Sequence, residues 1–254
     1  MDEEPTLKAD PFAQLRLLDV QELDSRADQL RHQRGSLPEL AEIADLRKQR
    51  AGLDAELGPA RDRVEDLLVE QEKVDADVES VKARRARDQQ RMDQGLISNP
   101  KDLERMSHEL VTLERRISAL EDDELEIMEQ VEEAQGALAS LESQAVAADE
   151  RLVALARSRD EKAADIDANL AALAAERAPI VAGLPDDLLA LYDKLRAAKG
   201  GVGAAALRAR ECGGCRLTLD NAELAVIKAA ATDEVIRCEE CQRILVRTSE
   251  SGLR

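Results

Sequence analysis

The chain has 254 residues, of which 35% are charged and only 1% aromatic, with one Phe, one Tyr and no Trp. So few rings cannot fill a globular core of that size, and the abundance of Ala, Leu, Glu, Arg and Asp favours long exposed helices. The formal charge of −18 comes from the first 199 residues, because residues 200–254 contain eight basic and eight acidic side chains. Such acidity argues against a general nucleic-acid binder, which needs clustered Lys and Arg.

The chain begins with the acidic segment MDEEP, which lacks an apolar core, so we expect no secretory signal. We also expect no membrane span, because the sequence has no run of about 18 apolar residues. Four cysteines in such a chain should stay reduced, which favours metal binding over disulfides. These features together predict a cytoplasmic protein.

The first part of the chain carries two apolar repeats with the spacing of amphipathic helices. The shorter repeat ends near Gly35 and Pro38 opens the next helix, because Gly ends helices and Pro is tolerated in a first turn. The shorter repeat consists of Val20, Leu23, Ala27 and Leu30. The longer repeat, in a different frame, consists of Ile43, Leu46, Arg50, Leu53, Leu57, Ala60, Val64, Leu67, Gln71, Val74, Val78 and Val81.

A third repeat begins at Leu103 and runs in alternating steps of three and four residues to Leu155, with every position except Glu124 apolar. A stripe this regular over about seven heptads predicts a coiled coil rather than a globular helix. A turn is predicted near residues 93–100, with Asn99 as N-cap and Pro100 as the first helical residue. Arms of roughly 80 residues on either side of so short a turn predict antiparallel helices that pack on each other.

Four cysteines follow in two CxxC pairs, Cys212 with Cys215 and Cys238 with Cys241, separated by 22 residues. Two such pairs supply the four thiolates of a tetrahedral zinc site. A redox CxxC normally occurs once, beside a βαβ unit, and a catalytic zinc keeps an open position. An iron–sulfur cluster could also use four cysteines, but the paired spacing favours zinc. We therefore predict one structural Zn²⁺ ion.

The predicted fold is mainly α, a long antiparallel coiled-coil helical hairpin with a small C-terminal β-rich zinc ribbon. Strand-like runs flank both cysteine pairs, and Asp220 or Asn221 could cap a short helix between them. We assign residues 1–180 to the hairpin, 181–199 to a short connecting helix and 200–254 to the ribbon. The last boundary depends on the sequence GGVG at 200–203, which is typical of a flexible break.

Three further sets of residues suggest contacts with other molecules. Leu96 and Ile97 at the predicted turn are either a local staple or a small knob that docks a partner. A basic cluster near the turn is a candidate nucleic-acid patch, although a solvated face with acidic neighbours across the hairpin is favoured. That cluster consists of Lys82, Arg84, Arg85, Arg87 and Arg91. Candidate phosphate contacts on the ribbon are Arg208, Arg210, Arg216, Arg237, Arg243 and Arg247.

A resemblance to a known family rests on three segments. They are the turn SNPKDL at 98–103, the pair CGGC at 212–215 and the sequence CEECQRIL at 238–245. The chain resembles the bacterial C4-type zinc ribbon family, long catalogued as a domain of unknown function, except that Gln242 stands where the family tends to have Gly. The resemblance implies adaptor or chaperone-like work, which in flagellated or type III-secreting bacteria engages the alternative sigma factor 54 and secretion components.

Two functional hypotheses follow. The first is a non-enzymatic scaffold that binds protein partners through the coiled coil and the ribbon. The second is a DNA- or RNA-binding regulator that acts through the ribbon arginines. We expect no enzyme, because no catalytic triad, phosphate-binding loop or carboxylate pair with a pocket is visible. We expect a monomer, since the hairpin satisfies its own apolar stripe, with Leu7, Phe12 and Leu15 as positions that could pair two copies.

Overall fold

A computed structural model describes residues 7–253, so the acidic start at 1–6 lies outside the described residues. Two compact units are present. The first, here called the ribbon unit, combines residues up to Leu40 with those from Arg157 onward. The second, here called the hairpin unit, consists of Ala41–Ala156. The long helices contribute to both units.

Within residues 7–253 the secondary structure is mainly helical, with four short strands toward the C-terminal end, and the predicted fold class is confirmed. The helices are α1 (Pro11–Gly35), α2 (Pro38–Asp93), α3 (Pro100–Val181), α4 (Asp186–Ala198) and α5 (Asn221–Ala229). The strands are β1 (Ala204–Arg208), β2 (Glu211–Cys212), β3 (Ile236–Arg237) and β4 (Ile244–Arg247).

The hairpin unit is an antiparallel pair formed by parts of α2 and α3, packed along the two predicted apolar repeats. Every residue of the α2 repeat is buried or half-buried, and so is every α3 repeat position from Met106 to Leu155. At the middle of the pair, Leu67 packs against Ile127 and Val131. Residues repeated at heptad intervals therefore form the core of a coiled coil.

The turn of the hairpin unit lies between Asp93 and Pro100. Asn99 caps α3, because its side-chain oxygen accepts a hydrogen bond from the Lys101 backbone N–H at 3.1 Å. Gly95 adopts a left-handed φ of 63°, which ends α2 at low steric cost.

The ribbon unit is built around a four-stranded sheet in the order β2-β1-β4-β3. Strands β1 and β4 pair in parallel, and the two outer pairings are antiparallel. Both faces of the sheet are covered, because Ile244 and Val246 pack with α1 and α4 while Leu245 packs with α5 and the cysteines. Three successive apolar residues in β4 are therefore all buried, as expected for a strand between two layers.

The segment around Gly203 fits closely against α1 and α4. A Cβ added at Gly203 would lie 2.6 Å from the Tyr192 carbonyl oxygen, so only Gly fits there. The Gly203 N–H donates to Oε1 of the buried Gln21 at 2.7 Å, and the Gln21 amide donates to the Gly201 carbonyl at 2.9 Å. The glycines that suggested a flexible break are therefore held by specific contacts.

A buried polar cluster joins α1, α3 and α4 in the same unit. Asp24 is 6% exposed and accepts hydrogen bonds from the Tyr192 hydroxyl at 2.8 Å and from Arg177 Nε at 2.8 Å. Arg196 Nε lies 3.5 Å from the same carboxylate, and Arg196 also binds Asp28. Burial, strengthened by the hydrogen bond to Asp24, raises the pKa of Tyr192 well above its usual range.

No helix in residues 7–253 combines the length and the apolar character that crossing a lipid bilayer requires.

Candidate metal centre

The four predicted cysteines come together at one side of the sheet. Cys212 ends β2, and Cys215 follows it in a tight turn. Cys238 follows β3, and Cys241 precedes β4. Their Sγ atoms all lie within 4.8 Å of one another, with Cys212 and Cys238 buried and the other two half-buried.

The cysteine geometry fits a tetrahedral metal ion. The Sγ atoms of Cys212 and Cys241 are 3.8 Å apart, and those of Cys215 and Cys238 are 3.9 Å apart. Zinc–sulfur bonds of about 2.3 Å give a regular tetrahedron edges of about 3.8 Å. The four thiolates therefore fit one structural Zn²⁺ ion, and they fill its coordination shell.

The two CxxC turns share one backbone arrangement. The N–H of Arg216 donates to the Cys212 carbonyl at 2.7 Å, and the N–H of Gln242 donates to the Cys238 carbonyl at 2.8 Å. Both donors follow the second cysteine of their pair and both have left-handed φ angles, 62° for Arg216 and 63° for Gln242. This conformation suits Gly better than any side chain, so Arg216 and Gln242 each adopt it at a steric cost.

The environment shifts the thiol pKa values in opposite directions. Burial raises the pKa of Cys238 to about 12 and also raises that of Cys212. Burial acts in the same sense on Cys241, but hydrogen bonds from Arg243 and from the neighbouring thiols outweigh it and lower its pKa to about 7. Because zinc binds thiolates, its binding must release protons from the buried pair.

Two of the six candidate ribbon arginines are committed to the fold itself. Arg243 donates to the carbonyls of Val202 at 2.9 Å and Lys199 at 2.7 Å. Arg247 donates to the backbone carbonyls at and after the end of α5, among them Ala231 at 2.7 Å and Thr232 at 3.0 Å. Both guanidiniums are half-buried, and their contacts are those of helix and loop caps.

The other four candidate arginines are exposed on the ribbon. Arg208 pairs with Glu250 at 3.3 Å, Arg210 binds Asn221, and Arg237 Nε donates to the Gln242 carbonyl at 3.1 Å. Their role in nucleic-acid binding stays a prediction.

The basic cluster on α2 is largely matched by acids on α3. Lys82 pairs with Glu121 at 2.7 Å, Arg84 pairs with Glu109, and Arg85 pairs with Glu114. These contacts agree with the favoured interpretation of a solvated, ion-paired face. At the turn, Leu96 is 66% exposed, whereas Ile97 is half-buried.

Sequence reasoning missed the side chains that attach the metal site to the helices. Gln21 fixes the glycines before β1, and Arg243 fixes the segment between α4 and β1 and lowers the pKa of Cys241. The position of Arg243, two residues after Cys241, was a signal for the second residue. Nothing in the local sequence identifies Gln21, because its partners lie about 180 residues away.

The fold and the metal centre together define a coiled-coil hairpin protein with a C-terminal four-cysteine zinc ribbon. A family model described as the CT398-like coiled coil hairpin domain matches residues 20–200, and one described as the C4-type zinc ribbon domain matches 212–245. The chain belongs to this CT398-like coiled-coil hairpin family, and the predicted family resemblance is confirmed.

Similar proteins extend over nearly the whole chain. A protein of Mycobacterium tuberculosis strain H37Rv is 35% identical over 243 residues, which cover 95% of this chain and 98% of that protein. A solved structure from Mycobacterium smegmatis has 33% identity and a TM-score of 0.78, covering 95% of this chain and all of that one. CT398 from Chlamydia trachomatis, at 17% identity and a TM-score of 0.64 over 93% of this chain and 98% of that one, supports the fold alone.

Proposed function

We propose that this protein is a non-enzymatic zinc-binding scaffold. It acts as an adaptor or chaperone-like protein that binds protein partners through the coiled coil and the ribbon. The observation that carries the proposal is the complete four-thiolate shell, since a metal with no open position cannot bind a substrate or activate water. The families that match are likewise a coiled coil and a zinc ribbon. A cytoplasmic location is part of the proposal, because a reducing compartment keeps the four free thiols from forming disulfides before they bind zinc.

The test is native mass spectrometry of the protein purified from its own host, with and without nuclease treatment. We expect one zinc ion per chain and a co-purifying protein that nuclease does not remove. A chain that carries zinc but no protein partner under gentle lysis would contradict the scaffold proposal.

Nucleic-acid binding by the ribbon is the second candidate, supported by the exposed arginines at 208, 210, 216 and 237. Its weakness is that Arg243 and Arg247 already donate to backbone carbonyls. A salt-sensitive gel shift with RNA or DNA, lost when Arg208, Arg210 and Arg216 become Ala, would favour this candidate. Binding that survives those substitutions would count against it.

A further inference from the structure

One flank of the hairpin unit carries a ladder of ion pairs between α2 and α3. Lys82 pairs with Glu121 at 2.7 Å, and Arg61 pairs with Glu142 at 2.9 Å. These two pairs lie three heptads apart on both helices, so the heptad repeat places two further rungs between them. At these two intervening positions, Asp75 lies opposite Met128 and Leu68 lies opposite Gln135.

At each of these two positions one member of the pair is apolar, Met128 in the first and Leu68 in the second, so no ion pair forms between them. Leu68 and Met128 are 43% and 39% exposed, and Leu125, one helical turn before Met128, is 60% exposed. We call Leu68, Leu125 and Met128 the flank patch. Beside it, the Oδ1 atom of Asp75 is buried and accepts no hydrogen bond from any residue in 7–253, although a buried carboxylate oxygen is costly without a donor.

Leu125 of the flank patch also belongs to a longer row of exposed positions on α3. At heptad spacing from Leu125 lie four other exposed apolar residues, Val111, Ala139, Val146 and Val153, with the polar residues Ser118 and Glu132 at the two positions next to Leu125. The core of the hairpin uses other heptad positions, so this row contributes little to the pairing of α2 with α3. An exposed apolar row at heptad spacing is the kind of face onto which another helix packs.

The charge of α3 indicates which kind of partner helix can bind to this row of residues. Between Arg116 and Arg151, α3 contains eleven acidic residues and no basic one. Two copies packed through this row would bring these acidic stretches together, and like charges in close apposition oppose association. A basic partner would instead gain from the same field.

We propose that this flank docks a basic amphipathic helix of another protein. Its apolar side chains would cover the flank patch, and one Lys or Arg would lie beside the carboxylate of Asp75, whose Oδ1 accepts no hydrogen bond within residues 7–253. The inference rests on the proposed scaffold function and names its surface and the chemistry of its partner.

The test uses the full zinc-loaded chain and a fluorescent helix-forming peptide of about three heptads, with Leu at core spacing and Lys and Arg on the flanks. A second peptide keeps the Leu positions and carries Glu on the flanks. We expect saturable binding of the basic peptide only, weakened at least about tenfold by Leu125→Ser combined with Met128→Ser. The matched control is Val69→Ser, since Val69 is 47% exposed and adjoins Leu68 but occupies another heptad position.

Equal binding by the patch variant and by Val69→Ser would overturn the proposal, because it would indicate adsorption by charge alone. Equal binding of the Glu-flanked peptide, or a wild-type dimer that Leu125→Ser disrupts, would overturn it as well. Circular dichroism should confirm that each variant keeps the wild-type helix content. If a co-purifying protein stays bound to the patch variant, this docking surface is wrong while the scaffold function stands; if wild type retains no protein partner, the scaffold function itself fails.

Discussion

Replacing Asp24 by Asn should destabilise the ribbon unit more than any comparable exposed change. The substitution keeps the shape of the side chain but removes the charge that faces Arg177 and Arg196, and it puts an amide donor where acceptors are needed. Removing one member of a buried ion pair costs about 3–5 kcal/mol, because the remaining charges stay desolvated. We therefore expect the free energy of unfolding to fall by about 3 kcal/mol.

The assay is urea denaturation of the zinc-loaded protein followed by the fluorescence of Tyr192, the only Tyr in a chain without Trp. The matched control is Asp167→Asn, which breaks the exposed ion pair with Arg34 at 2.8 Å and should cost less than about 1 kcal/mol. If the two variants lost equal stability, or if Asp24→Asn cost less than about 1 kcal/mol, the buried cluster would not act as described.

Three further predictions concern the metal site and its surroundings. Arg216→Gly should stabilise the zinc-loaded ribbon by about 0.5–1 kcal/mol in thermal unfolding, because Gly adopts the left-handed φ of this position without steric cost. The control, Arg208→Gly within β1, should destabilise the ribbon. The opposite order of stabilities would show that the backbone at Arg216 is not strained. Zinc affinity, measured against a chromophoric chelator, should fall at least about a hundredfold from pH 8 to pH 6. The reason is that protons compete with zinc for thiols such as Cys238, whose pKa is raised by burial to about 12. A zinc affinity that does not change with pH would refute this prediction. The Tyr192 hydroxyl should stay un-ionised above its ordinary pKa of about 10 while the protein is folded. Its contribution to stability is therefore complete below about pH 10 and is lost as the pH rises further. Phenolate absorbance that appears near pH 10 while the protein is still folded would contradict this prediction.

The hairpin and the cysteine ligands could be predicted because their signals are local and periodic. Leu67 and Ile127 belong to apolar repeats in which a core residue recurs every three or four positions, and α2 and α3 each carry such a repeat. The CxxC spacing likewise fixes two ligands within each turn, so only the meeting of the two turns required tertiary structure.

The attachment of α1 to the sheet was not predictable from the same signals. Leu17 and Val20 are fully buried against α4 and the sheet, yet their spacing equals that of a coiled-coil helix. The periodicity shows that a helix has an apolar face and does not identify what covers it. The roles of Asp24 and Arg247 were hidden for a related reason, since a charged residue in sequence is most often a solvated one.

The placement of β4 between two cores has a consequence for dissecting the protein by truncation. A fragment that begins at residue 200 would present Ala204, Ile244 and Val246 to water, because α1 and α4 cover that face in the full chain. Removing the first 35 residues would uncover the part of this face that α1 covers, while leaving α4 and every cysteine in place. Failure of either fragment to hold zinc would therefore report a lost supporting layer rather than a wrong set of ligands.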